Sequence, residues 1–291
     1  MKDYRLSLKK SKRIVVKIGT SNLTDESGKI NLSRIGSFVK VISNLTDQNK
    51  EVILVTSGAI GIGTIKLGYK ERPKTISGKQ AAAAVGQCEL MHIYSKYFEK
   101  QGHIIGQMLL TKDVVENRVA KKNVINAFET LLKEGAIPIV NENDTVSVDE
   151  IEYGEKKVFG DNDTLSAIVA SLIKADLLII LSDVDGFYDS DPRHNLNAKI
   201  IPIIKKITPK MEKSAGDAGT NSGTGGMTTK LSAAKIANSA GVNMILANGS
   251  DPKVIASILA GEDIGSLFIS TPSALQVEAN RNNRGRSPHR S

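Results

Sequence analysis

Short apolar runs alternate with longer helical stretches along most of this 291-residue chain, and that alternation restricts the fold more than any other feature. Ile14-Val15-Val16-Lys17-Ile18 reads as a strand, residues 32–50 as a helix, and Val52-Ile53-Leu54-Val55 as a strand. A helix near 77–101, a strand over 104–110, a helix over 117–134 and a strand at Ile137-Pro138-Ile139-Val140 follow. Helices over 163–174, 228–240 and 252–260 then alternate with strands at 177–181, 242–246 and 266–269. Strands apolar on both faces and separated by helices imply an α/β fold, a mainly parallel central sheet with helices on both faces. No linker rich in Pro or Ser divides the body, so one domain over 1–269 is expected. Residues 270–291 are rich in Asn, Arg and Ser and poor in apolar residues, so a disordered or expression-derived tail is expected there.

Several function classes are excluded at this level. No run approaches the roughly 18 apolar residues of a membrane helix. The apolar run behind the basic Lys9–Arg13 segment is broken by Lys17 and Gly19, against a secretory signal. The single cysteine, Cys88, leaves no intrachain disulfide and no cysteine zinc site. The four histidines show no metal-ligand spacing, and none lies beside Ser57. A cytoplasmic protein is expected. The net charge of +8 sits at the ends, with six basic residues against one acidic in 1–13 and four against one in 270–291. The body between is near neutral, which disfavours a nucleic-acid groove there; termini are commonly mobile.

In open α/β sheets ligands bind at the carboxyl ends of strands. Lys17 is either an edge-strand lysine reaching solvent or one aimed at an anion, since an ammonium within an apolar strand needs a partner. Thr56-Ser57-Gly58-Ala59-Ile60-Gly61-Ile62-Gly63 fits neither a nucleophile elbow nor a dinucleotide fingerprint. It is a plain strand-to-helix turn or an anion-binding one. Asn141-Glu142-Asn143-Asp144-Thr145 and Phe159-Gly160-Asp161-Asn162-Asp163-Thr164 are turns and caps, or a lining for an amine-bearing substrate and a hard metal ion. The aspartates in Ser182–Arg193 miss the calcium-loop pattern because Phe187 stands where a ligand is required. Gly223-Thr224-Gly225-Gly226-Met227-Thr228-Thr229-Lys230 is a structural glycine loop or a phosphate loop that is not the Walker type.

Together these stretches and Gln80–Gln87 resemble the amino acid kinase family in its glutamate 5-kinase branch, in the family's order over nearly all of 12–268. The resemblance implies a kinase that uses ATP and Mg²⁺ to phosphorylate the γ-carboxylate of L-glutamate, the first step of proline biosynthesis. It implies that Lys17 and Lys230 clamp phosphates and that Asp163 holds them. Ser57, Asp144 and Asn162, with Asp161 nearby, would bind glutamate. Lys17, Ser182, Asp183, Thr224, Gly225, Gly226, Met227, Thr228, Thr229 and Lys230 would line the nucleotide site, with no protein metal ligand assigned. Too few residues follow Ile269 for the C-terminal PUA domain that many members carry. L-glutamate as substrate, L-proline as feedback inhibitor and a homo-oligomer are expected, with neither nucleic acid nor membrane as partner. Another carboxylate or carbamate kinase of the same fold, or a nucleic-acid binder using the basic termini, are the competing readings.

Overall fold

A single eight-stranded sheet organises the molecule in the computed structural model, which describes residues 2–25, 29–111, 113–146, 161–217 and 226–270. Its strands are β1 (Arg13–Ile18), β2 (Glu51–Val55), β3 (Ile105–Leu110), β4 (Ile137–Glu142), β5 (Leu177–Ser182), β6 (Ile203–Ile204), β7 (Asn243–Asn248) and β8 (Ser266–Phe268). They lie in the order β3-β4-β2-β1-β5-β7-β8-β6. Neighbours are parallel except β7 and β8. The apolar runs become strands because both faces are covered, and β5 is buried along its whole length.

The helices are α1 (Lys2–Ser7), α2 (Thr20–Leu23), α3 (Leu32–Asp47), α4 (Ala59–Lys66), α5 (Ile76–Glu99), α6 (Asp113–Glu116), α7 (Arg118–Lys133), α8 (Asn162–Leu172), α9 (Pro209–Asp217), α10 (Met227–Ser239) and α11 (Val254–Leu259). The alternation of side chains along a strand divides the core into two layers. Ile14, Val16 and Ile18 pack with residues of α3, α5 and α11. Val15 packs on the opposite face with residues of α7, α8 and α10. Lys17, two residues on from Val15, therefore projects toward the α8 and α10 layer.

The central strand β1 pairs with β2 on one side and β5 on the other, with Lys17 opposite Val55 and Ile180. The chain leaves β1 toward β2 on one side and leaves β5 toward β6 at the opposite edge, so the two connections diverge. Such a reversal opens a crevice at the carboxyl ends of the strands. Lys17, the penultimate residue of β1, and Ser182, the last of β5, lie at the ends of the two strands that border it.

The basic N-terminus departs from the expectation of a mobile end. Arg5 is 3% exposed and donates to the carbonyls of Ile264, Pro202 and Gly265. It also pairs with Asp263 at 3.2 Å. A forked guanidinium that satisfies several carbonyls at once outweighs the usual fraying of a terminus. At the other end, the Ser270 N–H donates to Asn243 Oδ1 at 3.0 Å, which ties this first residue of the expected tail to the body; residues 271–291 lie outside the described residues.

One packing detail fixes the region beside the crevice. Helices α4 and α5 touch through backbone, because a Cβ on Gly63 would lie 1.7 Å from the Ala82 carbonyl oxygen and one on Gly86 1.7 Å from that of Ala59. Gly63→Ala must push the helices apart, at about 1–3 kcal/mol or more. A Tm lower by several degrees is expected; an unchanged Tm would show that the contact yields freely.

Candidate active site

The carboxyl ends of β1, β2, β4 and β5 and the amino ends of α8 and α10 meet at this crevice. Asp163 sits in the first turn of α8, where the helix dipole favours an anion, and is 0% exposed. Lys17 Nζ lies 2.5 Å from its Oδ1, and Lys230 Nζ, from the first turns of α10, lies 3.1 Å from its Oδ2. Both lysines are buried, at 7% and 5% exposure. Burial alone would raise the Asp163 pKa. The two ammonium groups more than offset this and hold the carboxyl below its ordinary range. One carboxylate thus holds two buried cations, and the unit keeps a net positive charge beneath two helix amino ends. That arrangement attracts a polyanion.

Toward β2 and β4 lies a polar network. Asn162 Nδ2 donates to the Thr56 carbonyl at 2.9 Å, to Ser57 Oγ at 2.8 Å and to Asn141 Oδ1 at 3.2 Å. Asn141 Nδ2 donates to Gln87 Oε1 at 2.9 Å. Gly58, with φ of +97°, turns the chain sharply behind Ser57. Asp161 Oδ2 and Asn162 Oδ1 are buried with no donor among the described residues. Burial, then repulsion from Asp163, raises the Asp161 pKa against the pull of Lys17. Adjacent buried acceptors of this kind suit a ligand ammonium, which brings three donors.

Toward β5 and α10 the groups differ. Ser182 Oγ donates to Asp183 Oδ1 at 2.9 Å, and the Ser182 carbonyl accepts from Gly249 N–H at 2.9 Å. Thr229 Oγ1 donates to the Gly226 carbonyl at 2.7 Å and lies 3.3 Å from Asp163 Oδ2. Met227 packs against the core layer of α8, and Thr228 Oγ1 donates to Ala215 O at 3.2 Å, away from the lysines. Asp144 is half-buried in the turn after β4. Thr224 and Gly225 lie outside the described residues.

The structure therefore joins Lys17, Lys230 and Asp163 directly, and Ser57 with Asn162. Asn141 and Gln87 enter the network without having been singled out for a role. Asn141 was findable, since it is the penultimate residue of β4 as Lys17 is of β1. Gln87 closes the Gln80–Gln87 stretch that carries part of the resemblance, but within a helix of small residues nothing gives it a role.

Residues 12–248 match the amino acid kinase family. The chain is 58% identical over 266 residues to glutamate 5-kinase of Clostridium perfringens, covering 91% of this chain and 98% of that one. This chain belongs to the glutamate 5-kinase family. It is also 54% identical to glutamate 5-kinase of Listeria monocytogenes over 91% of this chain and 96% of the relative. Solved structures show how widely the glutamate 5-kinase fold is shared. UMP kinase from Bacillus anthracis aligns with a TM-score of 0.59 at 18% identity, over 89% of this chain and 96% of that one. Carbamate kinase from Giardia lamblia bound to AMP-PNP aligns with a TM-score of 0.62 at 13% identity, over 90% and 99%. At such identities the likeness concerns the fold, a mainly parallel sheet between helical layers.

The fit to Mg²⁺ can be tested on the side chains. Among the described residues no three acidic, histidine or cysteine side chains form a metal cage. Mg²⁺ commonly keeps its waters and binds through one or two carboxylates plus substrate phosphates. The buried Asp161 oxygen with no donor among the described residues, beside Asp163 and the two lysines, fits an ion that arrives on a nucleotide.

Proposed function

We infer that this protein transfers the γ-phosphoryl group of ATP to the γ-carboxylate of L-glutamate, forming L-glutamyl 5-phosphate and ADP, the first step of proline biosynthesis. The observation that carries this reading is the buried Lys17–Asp163–Lys230 unit in a chain 58% identical to a glutamate 5-kinase.

The chemistry needs no base. A γ-carboxylate has a pKa of about 4.3 and is ionised at neutral pH. One of its oxygens attacks the γ-phosphorus, the bond from that phosphorus to the β,γ-bridging oxygen breaks, and ADP carries away the electron pair. No proton moves. The obstacle is the approach of an anion to a polyanion, so positioning and charge neutralisation must supply the rate. In our reading Lys17, at the end of the central strand, neutralises charge where carboxylate and γ-phosphate meet. Lys230 neutralises the charge that develops on the leaving side. Asp163 holds both ammonium groups in one place. Mg²⁺, when bound, shields the phosphate oxygens. Asp161, Asn162, Ser57 and Asp144 form the glutamate half, with the substrate ammonium at Asp161 and Asn162. Ser182, Asp183, the glycine loop through Thr224 and Gly225, and Gly226 to Lys230 form the nucleotide half. The product acyl phosphate is labile to water, which favours a closed crevice. The test is hydroxamate formation from hydroxylamine with Mg-ATP and a panel of acceptors. L-glutamate is expected to be the preferred acceptor, whereas preference for aspartate or carbamate would replace this reading with another carboxylate or carbamate kinase.

L-Proline is proposed as an inhibitor that competes with glutamate. It shares the α-carboxylate and amine nitrogen but lacks the γ-carboxylate, so it would occupy the pocket without reacting. A rising apparent KM for glutamate at nearly constant kcat is expected. Kinetics unchanged at high proline would reject this regulation and leave the kinase activity standing.

A homo-oligomer is proposed from the exposed apolar groups at the β3 edge of the sheet, Ile104, at 73% exposure, and Leu109. No helix among the described residues is long and apolar enough to cross a membrane. The catalytic unit is proposed to end with the body, after Ser270. Removal of residues 271–291 is expected to leave kcat and Tm within error of the full chain. A large drop in either would show that the tail reaches the site or packs on the body.

A further inference from the structure

Gln87 lies inside α5 at 9% exposure, and its Nε2 is buried with no partner among the described residues. A buried donor without an acceptor destabilises a fold, and an apolar side chain of the same shape would avoid that cost. What Gln87 does offer is an acceptor: its Oε1 receives the Asn141 amide at 2.9 Å.

The polarity of this chain of amides follows from one unambiguous group. The Thr56 carbonyl can only accept, so the amide nitrogen of Asn162 must face it, as it does at 2.9 Å. Asn162 Oδ1 is thereby turned away from Thr56, and it is buried without a donor. The same nitrogen faces Asn141 Oδ1, so Asn141 must present its own nitrogen to Gln87. Without an acceptor at position 87 that nitrogen would be left unpaired, and Asn141 would turn to relieve it. A turned Asn141 sets nitrogen against nitrogen at Asn162 and dislodges the one carbonyl left for a ligand. Backbone packing holds Gln87 in place, because the preceding Gly86 lies directly against Ala59.

We propose that Gln87 is a positioning residue for substrate: through Asn141 it locks the Asn162 amide so that its Oδ1 faces the substrate ammonium. The inference rests on the glutamate reading above and assigns no contact between Gln87 and substrate.

The test compares Gln87→Met, which keeps shape and removes the acceptor, with Gln87→Glu, which keeps an oxygen toward Asn141. Steady-state kinetics and Tm are measured for both, and for Gln87→Met combined with Asn162→Ala. Gln87→Met is expected to raise the glutamate KM by about 10-fold, as loss of a buried hydrogen bond does, with the ATP KM within about 2-fold. Gln87→Glu should recover most of the loss, and in the Asn162→Ala background Gln87→Met should add nothing. Should Gln87→Met not fold, Gln87→Asn withdraws the acceptor by one methylene and is read in the same way. An unchanged glutamate KM in a folded variant, an equal rise in both KM values, failure of Gln87→Glu to restore, or full additivity with Asn162→Ala would overturn the proposal. A wild-type enzyme that makes no hydroxamate from glutamate would overturn the underlying reading instead.

Discussion

Lys230→Ala is expected to lower kcat by roughly 10²–10³, the usual cost of one donor aimed at developing transition-state charge. The fold should survive. Asp163 keeps Lys17 at 2.5 Å, so the deletion leaves a balanced ion pair in place of a doubly paired carboxylate. KM values should move less than kcat, because the contact is proposed to strengthen as charge builds on the leaving phosphate. Near wild-type turnover in a folded variant would remove Lys230 from the chemistry.

Asp163→Asn should act on stability as well as rate, and this separates the two lysines from the group that holds them. The substitution leaves two buried ammonium groups with no carboxylate between them. Breaking a buried ion pair from one side costs about 3–5 kcal/mol, so Tm should fall on the order of 10 °C, with kcat reduced by at least about 10². The wild-type pH dependence follows from the direction of the Asp163 shift. Its folded pKa lies below the ordinary carboxylate value, so the ion pairs stabilise the fold fully above the unfolded pKa of about 3.9 and are lost as pH falls through the lower folded value. Asp163 is thus ionised throughout the neutral range. A Tm for Asp163→Asn equal to wild type would contradict the view that Asp163 organises the lysines.

These residues also show what is legible in a sequence of this kind. The strands were readable because a parallel sheet buried on both faces demands continuous apolar runs, and Leu177–Leu181 admits no other placement. Lys17 was readable as an anomaly, since an ammonium in such a run requires a partner. That partner is 146 residues away in sequence, and distance along the chain conceals it from any local pattern. The same holds for Gln87 and Asn141, which meet across 54 residues. Arg5 misled for a related reason. A basic residue near a terminus reads as solvated until the carbonyls of Pro202 and Gly265 close around it. The two-residue strand β6 carries too little pattern to be seen. The motif order pointed to the family, while the geometry of the Lys17–Asp163–Lys230 unit gave the chemistry a physical basis.

Direct attack by the γ-carboxylate on phosphorus is the central step, and oxygen labelling tests it. Glutamate carrying ¹⁸O at both oxygens of its γ-carboxylate is incubated with Mg-ATP and the enzyme, and the acyl phosphate is cleaved with hydroxylamine. Hydroxylamine attacks the acyl carbon, so the released phosphate keeps the oxygen that bridged carbon and phosphorus. Mass spectrometry is predicted to find one labelled oxygen in each phosphate formed in step with hydroxamate. Phosphate free of label would mean that water or another acceptor takes the γ-phosphoryl group, and would contradict the mechanism assigned to this crevice.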